Sequence, residues 1–497
     1  MHMISALMAL TTALSVLSPP TPAPVPASPA WCPTAADRRV ECATEPRPLV
    51  AGKPELGTVD VAYALVRRKN EAKPAKNTIV VNPGGPGGGA IEAAQWYTKL
   101  TEPLAADHDL LLIDPRGTGQ SGALTCGLTD THLPTRPELR RAAARCAANL
   151  GPRAEGYTSA ATADDIDAVR RRLGVGKIVL YGVSYGTYLL PIYAERHPDT
   201  VRSILLSGAY PVGFDPLSAP SARAVSLTLR RICERSAACD GGAAVRDLKA
   251  VNARLRAEPR PMTITVNGRP RTLALTESML AFVLSFPASH AVGTTPGKAP
   301  LIGRLPAQLR RAARGDFRPL TKEIGAQYEE MSADRSDQAL STAVVCNDYA
   351  RPWSVDAPVR ERLRQFNRAV ERARPAEFGA FSPRAFATSP LDGGDLCIAW
   401  PKTGTARPYQ LTGKLPDVPT LVISGDLDSN TTDENGRLNA AQFPRARFLS
   451  VPNTGHVPEG DSTGCAISIV VDFIRDERLG GTSCLRRIPP IKVKPVR

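Results

Sequence analysis

Histidine is scarce in this chain, six among 497 residues, so chemistry that needs an imidazole has few places to find one. Aromatic residues are only 5%, and none interleave with the basic clusters at 170–172, 304–314 and 486–497. That removes the stacking platform a nucleic-acid binder needs. No apolar run reaches the ~18 residues that cross a bilayer. No cysteine stands in metal-ligand spacing with histidine, so neither a metal nor another cofactor is expected. Glycine and proline, 39 and 46 residues, stay below the roughly 25–30% share of low-complexity chains. What remains is a globular chain with 42% hydrophobic residues, long enough for two to four units at roughly 100–200 residues each.

Lysine and arginine are also missing at the start. Ile4 to Leu17 is an uncharged apolar run preceded only by His2 and followed by Pro- and Ala-rich spacing, with Ser28 and Ala30 before Trp31. This predicts a removable export leader over 1–30, despite the absent N-terminal cation. The ten cysteines agree, because an even number in an exported chain favours disulfides. Sequence does not fix their connectivity; the reading adopted is neighbour pairing: Cys32–Cys42, Cys126–Cys146, Cys233–Cys239, Cys346–Cys397 and Cys465–Cys484. The net charge of +14 is diffuse. It reads as a solvated face, with weak attraction to an anionic cell surface as the alternative. The expected location is extracellular, with cell-wall association as its extension, no membrane insertion and no nucleic-acid partner.

From about 59 to 210, strand and helix signals alternate. Val59–Val66 alternates in polarity, whereas Thr78–Val81, Leu110–Ile113, Ile178–Tyr181 and Val201–Leu206 are short apolar runs. The first three of these stop at NPGGPGGG, DPRGTGQSG and GVSYG. Such runs fit a parallel sheet covered on both faces. The helix before the third run is expected to be capped by Thr162, with Asp164 and Asp165 in its first turn, an apolar stripe of Ile166, Val169 and Leu173, and Gly174 as its stop. Between about 216 and 415 the texture is helical, Arg- and Ala-rich and broken by prolines. Strand signals return at Pro419–Ser424 and Arg447–Val451, and a last helix carries Ile467, Val470, Val471 and Ile474. The fold class predicted is α/β: a mostly parallel central sheet flanked by helices, with a large, mainly helical cap inserted before a late strand. The segments are a leader over 1–30, core over 31–215, cap over 216–415 and core over 416–497.

Gly182-Val183-Ser184-Tyr185-Gly186 follows a strand directly and leads into a helical run, the context of a G-x-S-x-G nucleophile elbow. The glycines are needed because a serine forced into a strained strand-to-helix turn leaves no room for neighbouring side chains. Gly460-Asp461-Ser462-Thr463-Gly464 matches the same pattern without a strand before it, and Ser462 or Thr463 is read as a helix cap. Acyl transfer also needs donors for an oxyanion; the N–H groups of Gly85 and Tyr185 are the candidates. The glycine-rich loop at 82–89 lacks the G-K-[ST] ending of a phosphate cradle. A base and its carboxylate should follow in the order Ser, acid, His. His456 is the one histidine after the cap, and LVISG is followed by Asp426 and Asp428. Spacing from Gly425 favours Asp428, with Asp426 the alternative.

With NPGGPGGG (82–89), DPRGTGQSG (114–122), YGVSYGTY (181–188), Cys233 with Cys239, SGDLDSNTT (424–432) and NTGHVPEG (453–460), the chain resembles secreted α/β-hydrolases of the tripeptidyl aminopeptidase type, within the prolyl-aminopeptidase-like group. The motifs run in family order over nearly the whole mature chain. The resemblance implies an α/β-hydrolase fold, a tripeptidyl-aminopeptidase-like C-terminal region and a triad of Ser184, Asp428 and His456. It implies a serine peptidase that releases short peptides, tripeptides first, from peptide substrates with a free N-terminus. The extra Asp426 departs from the family pattern. A carboxylesterase would use the same triad. An exopeptidase needs a carboxylate for the substrate ammonium, for which Asp348, Asp395, Glu329 and Glu330 are cap candidates.

Overall fold

The computed structural model describes residues 28–127, 136–290, 292–295, 297–333, 337–389, 393–402 and 407–496. The predicted leader therefore lies almost wholly outside the described residues. Eight strands form the main sheet: β1 (Val40–Pro48), β2 (Thr58–Val66), β3 (Asn77–Asn82), β4 (His108–Ile113), β5 (Ile178–Val183), β6 (Val201–Ser207), then, after a long insertion, two more at Thr420–Gly425 and Ala446–Val451. The insertion contributes a separate two-stranded sheet, β7 (Arg260–Val266) and β8 (Arg269–Leu275), so the late pair are β9 and β10. The order is β1-β2-β4-β3-β5-β6-β9-β10, antiparallel at β1-β2 and β2-β4 and parallel thereafter.

The apolar runs explain this arrangement. β3, β4, β5 and β9 are buried along their whole lengths, because helices cover both faces. One covering layer is centred on Ile166, Val169, Leu189 and Leu190, and the other on Val470, Phe473 and Ile474. The α/β class with an inserted cap is thus the observed architecture. Between β6 and β9 the chain is mainly helical and builds a core of its own around Leu229, Ile232, Leu248, Leu280, Leu305 and Leu320.

Six helices matter below: α1 (Ser159–Arg172), α2 (Gly186–Arg196), α3 (Ala219–Ser236), α4 (Glu277–Ser285), α5 (Ala339–Asp348) and α6 (Cys465–Asp476). The expected cap of α1 shifts by one turn. Thr158, not Thr162, accepts the Ala161 N–H, and Thr162 sits inside the helix, bonded back to the Thr158 carbonyl. Asp165, expected to serve the helix dipole, is instead buried against the Arg116 guanidinium at 2.6 and 2.7 Å. α6 starts one step away from its predicted caps: the Asp461 carboxylate takes the Thr463 and Ala466 N–H groups, while Ser462 is exposed.

The β7–β8 hairpin interrupts a region read as helical. Its turn is Asn267-Gly268, both at positive φ (52° and 74°), the residue pair a type I′ turn demands. β1 also escaped the sequence reading, because Pro46 and Pro48 disguise it. It is an edge strand, paired among the described residues only to β2, where prolines are tolerated. All five disulfides join sequence neighbours, as read from the cysteine order. Among the described residues no helix is long and apolar enough to cross a membrane.

Candidate active site

Ser184 stands between β5 and α2 at φ +54°, one of the few non-glycine residues in the left-handed region. The turn is held by Ser184 N–H to the Ser207 carbonyl (2.9 Å) and by Thr187, whose N–H and hydroxyl both donate to the Ser184 carbonyl (2.8 and 2.6 Å). The flanking glycines are obligatory on contact grounds. A Cβ on Gly182 would lie 2.5 Å from the Gly186 carbonyl oxygen, and one on Gly186 would lie 2.7 Å from that of Asn82.

The glycine-rich loop presses on the same turn: a Cβ on Gly84 would fall 2.8 Å from the Ser184 Cβ. Gly85 comes next and, with Ser184, lines a cavity of about 230 Å³. Among the described residues neither the Gly85 nor the Tyr185 N–H donates to an acceptor. The DPRGTGQSG motif buttresses this loop. Asp114 accepts the Ile91 and Gln120 N–H groups (both 2.9 Å) and packs against Gly119, where a Cβ would meet its carboxylate at 2.3 Å.

The candidate acid and base meet at the ends of β9 and β10. His456 Nδ1 lies 3.0 Å from Asp428 Oδ2, both side chains being buried. Asp428 also accepts the Ser289 hydroxyl (2.8 Å), the Asn430 and Thr431 N–H groups (2.8 and 3.1 Å) and the Thr431 hydroxyl (2.7 Å). Burial pushes its pKa up, but the His456 charge and these donors outweigh it and hold the carboxyl at about 2. Asp426 points elsewhere: it pairs with Arg235 and accepts the Asn453 N–H. His456 approaches the elbow through Gly208, next to the Ser207 that holds Ser184; a Cβ there would lie 3.3 Å from the imidazole.

Several participants carried no signal in the sequence. Thr431 lines the cavity and bridges Asp428 and His456, with its hydroxyl 2.9 Å from Nδ1. Ser289, from the cap turn after α4, accepts the His456 N–H at its carbonyl (2.9 Å). His290 packs against His456 with ring centroids 4.7 Å apart and the rings tilted by 52°, and burial with the neighbouring imidazole lowers its pKa to about 4. Glu459 is buried under the site between the Tyr181 and Ser207 hydroxyls (both 2.7 Å), and burial raises its pKa. Apart from the three residues between Asp428 and Thr431, the separations involved, from 25 to 278 residues, are invisible to local patterns.

Of the four cap carboxylates, none lines the cavity at Ser184. Asp395 is buried against Arg136 (2.6 Å), Glu329 accepts the Thr265 N–H, and Glu330 lines a different cavity beyond His290. Asp348 is buried at the end of α5, accepting the Ser159 N–H; the Ser159 hydroxyl in turn meets the Tyr185 hydroxyl at 2.7 Å. Burial pushes Asp348 up to about 7, against the pull of Ser159 and Arg351. A carboxyl with a folded pKa above its unfolded value makes stability fall as pH rises, here between about 4 and 7. Asp348→Asn should therefore gain stability relative to wild type as pH rises from 5 to 8, by on the order of a few kcal/mol. Denaturant midpoints at the two pH values test this; parallel curves for the two proteins contradict it.

Family models match the chain over residues 77–232, described as alpha/beta hydrolase fold, and over 384–484, described as TAP-like protein. Serine protease Hip1 of Mycobacterium tuberculosis is 26% identical over 458 residues, covering 85% of this chain and 82% of the relative. Carboxylesterase B of the same species is 26% identical over 488 residues, covering 90% and 86%. Tripeptidyl aminopeptidase of Streptomyces lividans is 27% identical over 199 residues, 35% of this chain and 37% of that protein. The two matched segments hold the elbow on one side of the cap and the Asp428–His456 pair on the other, and these similarities support an α/β-hydrolase of the tripeptidyl-aminopeptidase type, a serine peptidase.

Proposed function

We propose that the chain is a secreted serine exopeptidase that releases short peptides, tripeptides first, from free N-termini, with Ser184 as nucleophile, His456 as base and Asp428 as orienting acid. One observation carries the reading: a serine at φ +54° in the elbow shares a cap-covered cavity with Thr431, which is bonded to a buried Asp428–His456 pair. Residues 31–215 and 416–497 then supply the core and 216–415 the cap. The five disulfides support an oxidising, extracellular setting.

With Nδ1–H directed at Asp428, the imidazole leaves Nε2 to take the Ser184 proton as Oγ attacks the scissile carbonyl. The Gly85 and Tyr185 N–H groups receive the oxyanion. The imidazolium, steadied by Asp428, then protonates the leaving amine, and water resolves the acyl-enzyme by the reverse route. The Tyr185 hydroxyl, tied through Ser159 to Asp348 of the cap, fixes the residue whose N–H faces the oxyanion.

The test is hydrolysis of a tripeptide arylamide against its N-acetylated twin, with Ser184→Ala as blank. The expected result is a free-amine preference of at least about tenfold in kcat/KM. Equal rates would remove the exopeptidase reading. A carboxylesterase is the second reading, favoured by the 26% identity to Carboxylesterase B over 90% of the chain. It predicts rapid cleavage of short acyl esters and none of either arylamide.

A further inference from the structure

The cavity that contains Ser184 has an unusual charge inventory. The protein carries 62 Lys and Arg against 48 Asp and Glu, yet among the described residues no cation lines this cavity, and one carboxylate does, Asp215. We propose that Asp215 receives the N-terminal ammonium group of the peptide substrate, an assignment that rests on the exopeptidase reading above.

The position of Asp215 suits that task. It lies between β6 and α3, eight residues past the strand end that holds Ser184, in the segment where the chain leaves the sheet for the cap. Its carboxylate is fixed without being consumed. Oδ1 accepts the Leu217 N–H (3.0 Å) and Oδ2 accepts the Ala219 N–H (2.9 Å). Each oxygen retains a second lone pair, and the residue is only partly buried. Among the described residues it forms no ion pair, unlike Asp395, Asp426 and Glu277, each of which an arginine neutralises. A carboxylate held by two amides and facing a cavity without a cation is thus ready for a cationic group supplied from outside.

The rest of the wall strengthens the interaction. Phe214 stands beside it, edge-on to Tyr349 at 4.9 Å and to Tyr210 at 5.3 Å. These apolar rings lower the local dielectric, and a charge pair gains strength as it falls. Ser221, whose hydroxyl donates to the Asn430 carbonyl at 3.0 Å, keeps its lone pairs for a second N–H of the same ammonium. An acetylated N-terminus offers no charge and one donor fewer, and an acidic first residue would meet repulsion.

The experiment compares the free-amine tripeptide arylamide and its acetylated twin in wild type, Asp215→Asn and Asp215→Glu. Burst release from p-nitrophenyl acetate counts competent sites in each protein, so that misfolding is not read as weak binding. Asp215→Asn should raise KM for the free amine about 30-fold and shrink the ratio of free-amine to acetylated kcat/KM by a similar factor. Asp215→Glu keeps both acceptors for the loop amides and moves the charge by one methylene, so its ratio should fall between the two. A wild-type preference that survives in Asp215→Asn, or in the uncharged Asp215→Ser, whose hydroxyl still accepts from a loop amide, if the first variant shows no competent sites, overturns the role of Asp215 and leaves the exopeptidase reading standing. No preference in wild type overturns both.

Discussion

Ser184→Ala should lower the steady-state rate on a tripeptide arylamide by at least about four orders of magnitude, with KM and thermal stability close to wild type. The size follows from what is lost. Without Oγ no acyl-enzyme forms, and what survives comes from binding and from oxyanion donors acting on attack by water, roughly 10³–10⁴ over the uncatalysed reaction. The stability claim follows from the backbone. Ser184 already bears the strain of φ +54°, which costs an L-residue roughly 1–2 kcal/mol, and alanine bears the same. The bonds that hold the turn run through the backbone of Ser184, the carbonyl of Ser207 and the side chain of Thr187, none of which changes. Loss of burst release together with an unchanged melting curve is the expected signature. A variant that keeps even a tenth of the rate would show that another group attacks the substrate.

The second large effect separates the two aspartates. Asp428→Asn should cost about 10⁴ in kcat, because an amide beside His456 Nδ1 favours the wrong tautomer and offers no charge to the imidazolium. Asp426→Asn should change kcat by less than about tenfold, since its carboxylate serves Arg235 and the Asn453 N–H. It should appear instead as lost stability, because Arg235 loses its charged partner and keeps only the Asn453 amide oxygen. The pH behaviour of Asp428 has a definite sign. With its folded pKa held at about 2, below the unfolded value near 3.9, its contribution to stability is present above about pH 4 and lost as pH falls towards 2. Acid inactivation above pH 4 then does not arise from Asp428. Comparable kcat losses in both variants would undo the assignment.

The elbow was legible because it is local: strand, glycine, serine, glycine and helix lie within a few residues, and sterics alone demand that pattern. The parallel sheet was legible for a related reason, since strands covered on both faces have no polar side to interrupt them. Elimination among six histidines singles out His456 as the candidate base, and the structure places its imidazole beside Asp428. The preference for Asp428 over Asp426 rested on a two-residue difference in a loop, and only geometry gives it a physical basis. What escaped was set by tertiary contact. Thr158 displaced Thr162 as a cap because α1 begins where Asp348 of the cap fixes the Ser159 N–H. Ser289 and His290 reach the imidazole from a turn 139 residues before Asp428. The amine candidates were sought in the cap interior, whereas the carboxylate in the cavity sits in the connection leading to it. The Asn267-Gly268 turn carries a hairpin signal of its own, set within Arg- and Ala-rich helical texture.

The contact at Ser289 has a consequence for how the molecule comes apart. Its hydroxyl donates to Asp428, it accepts from the Ser429 N–H (2.8 Å), and its carbonyl holds the His456 N–H. A Cβ on Gly455 would fall 2.0 Å from that same carbonyl. The cap turn and the loop carrying the imidazole therefore open together, as one cooperative unit. In hydrogen exchange, the His456 amide should be released in step with the 287–290 turn and ahead of the β5 and β9 amides. A proteolytic nick at that turn would silence the protein while leaving the sheet folded.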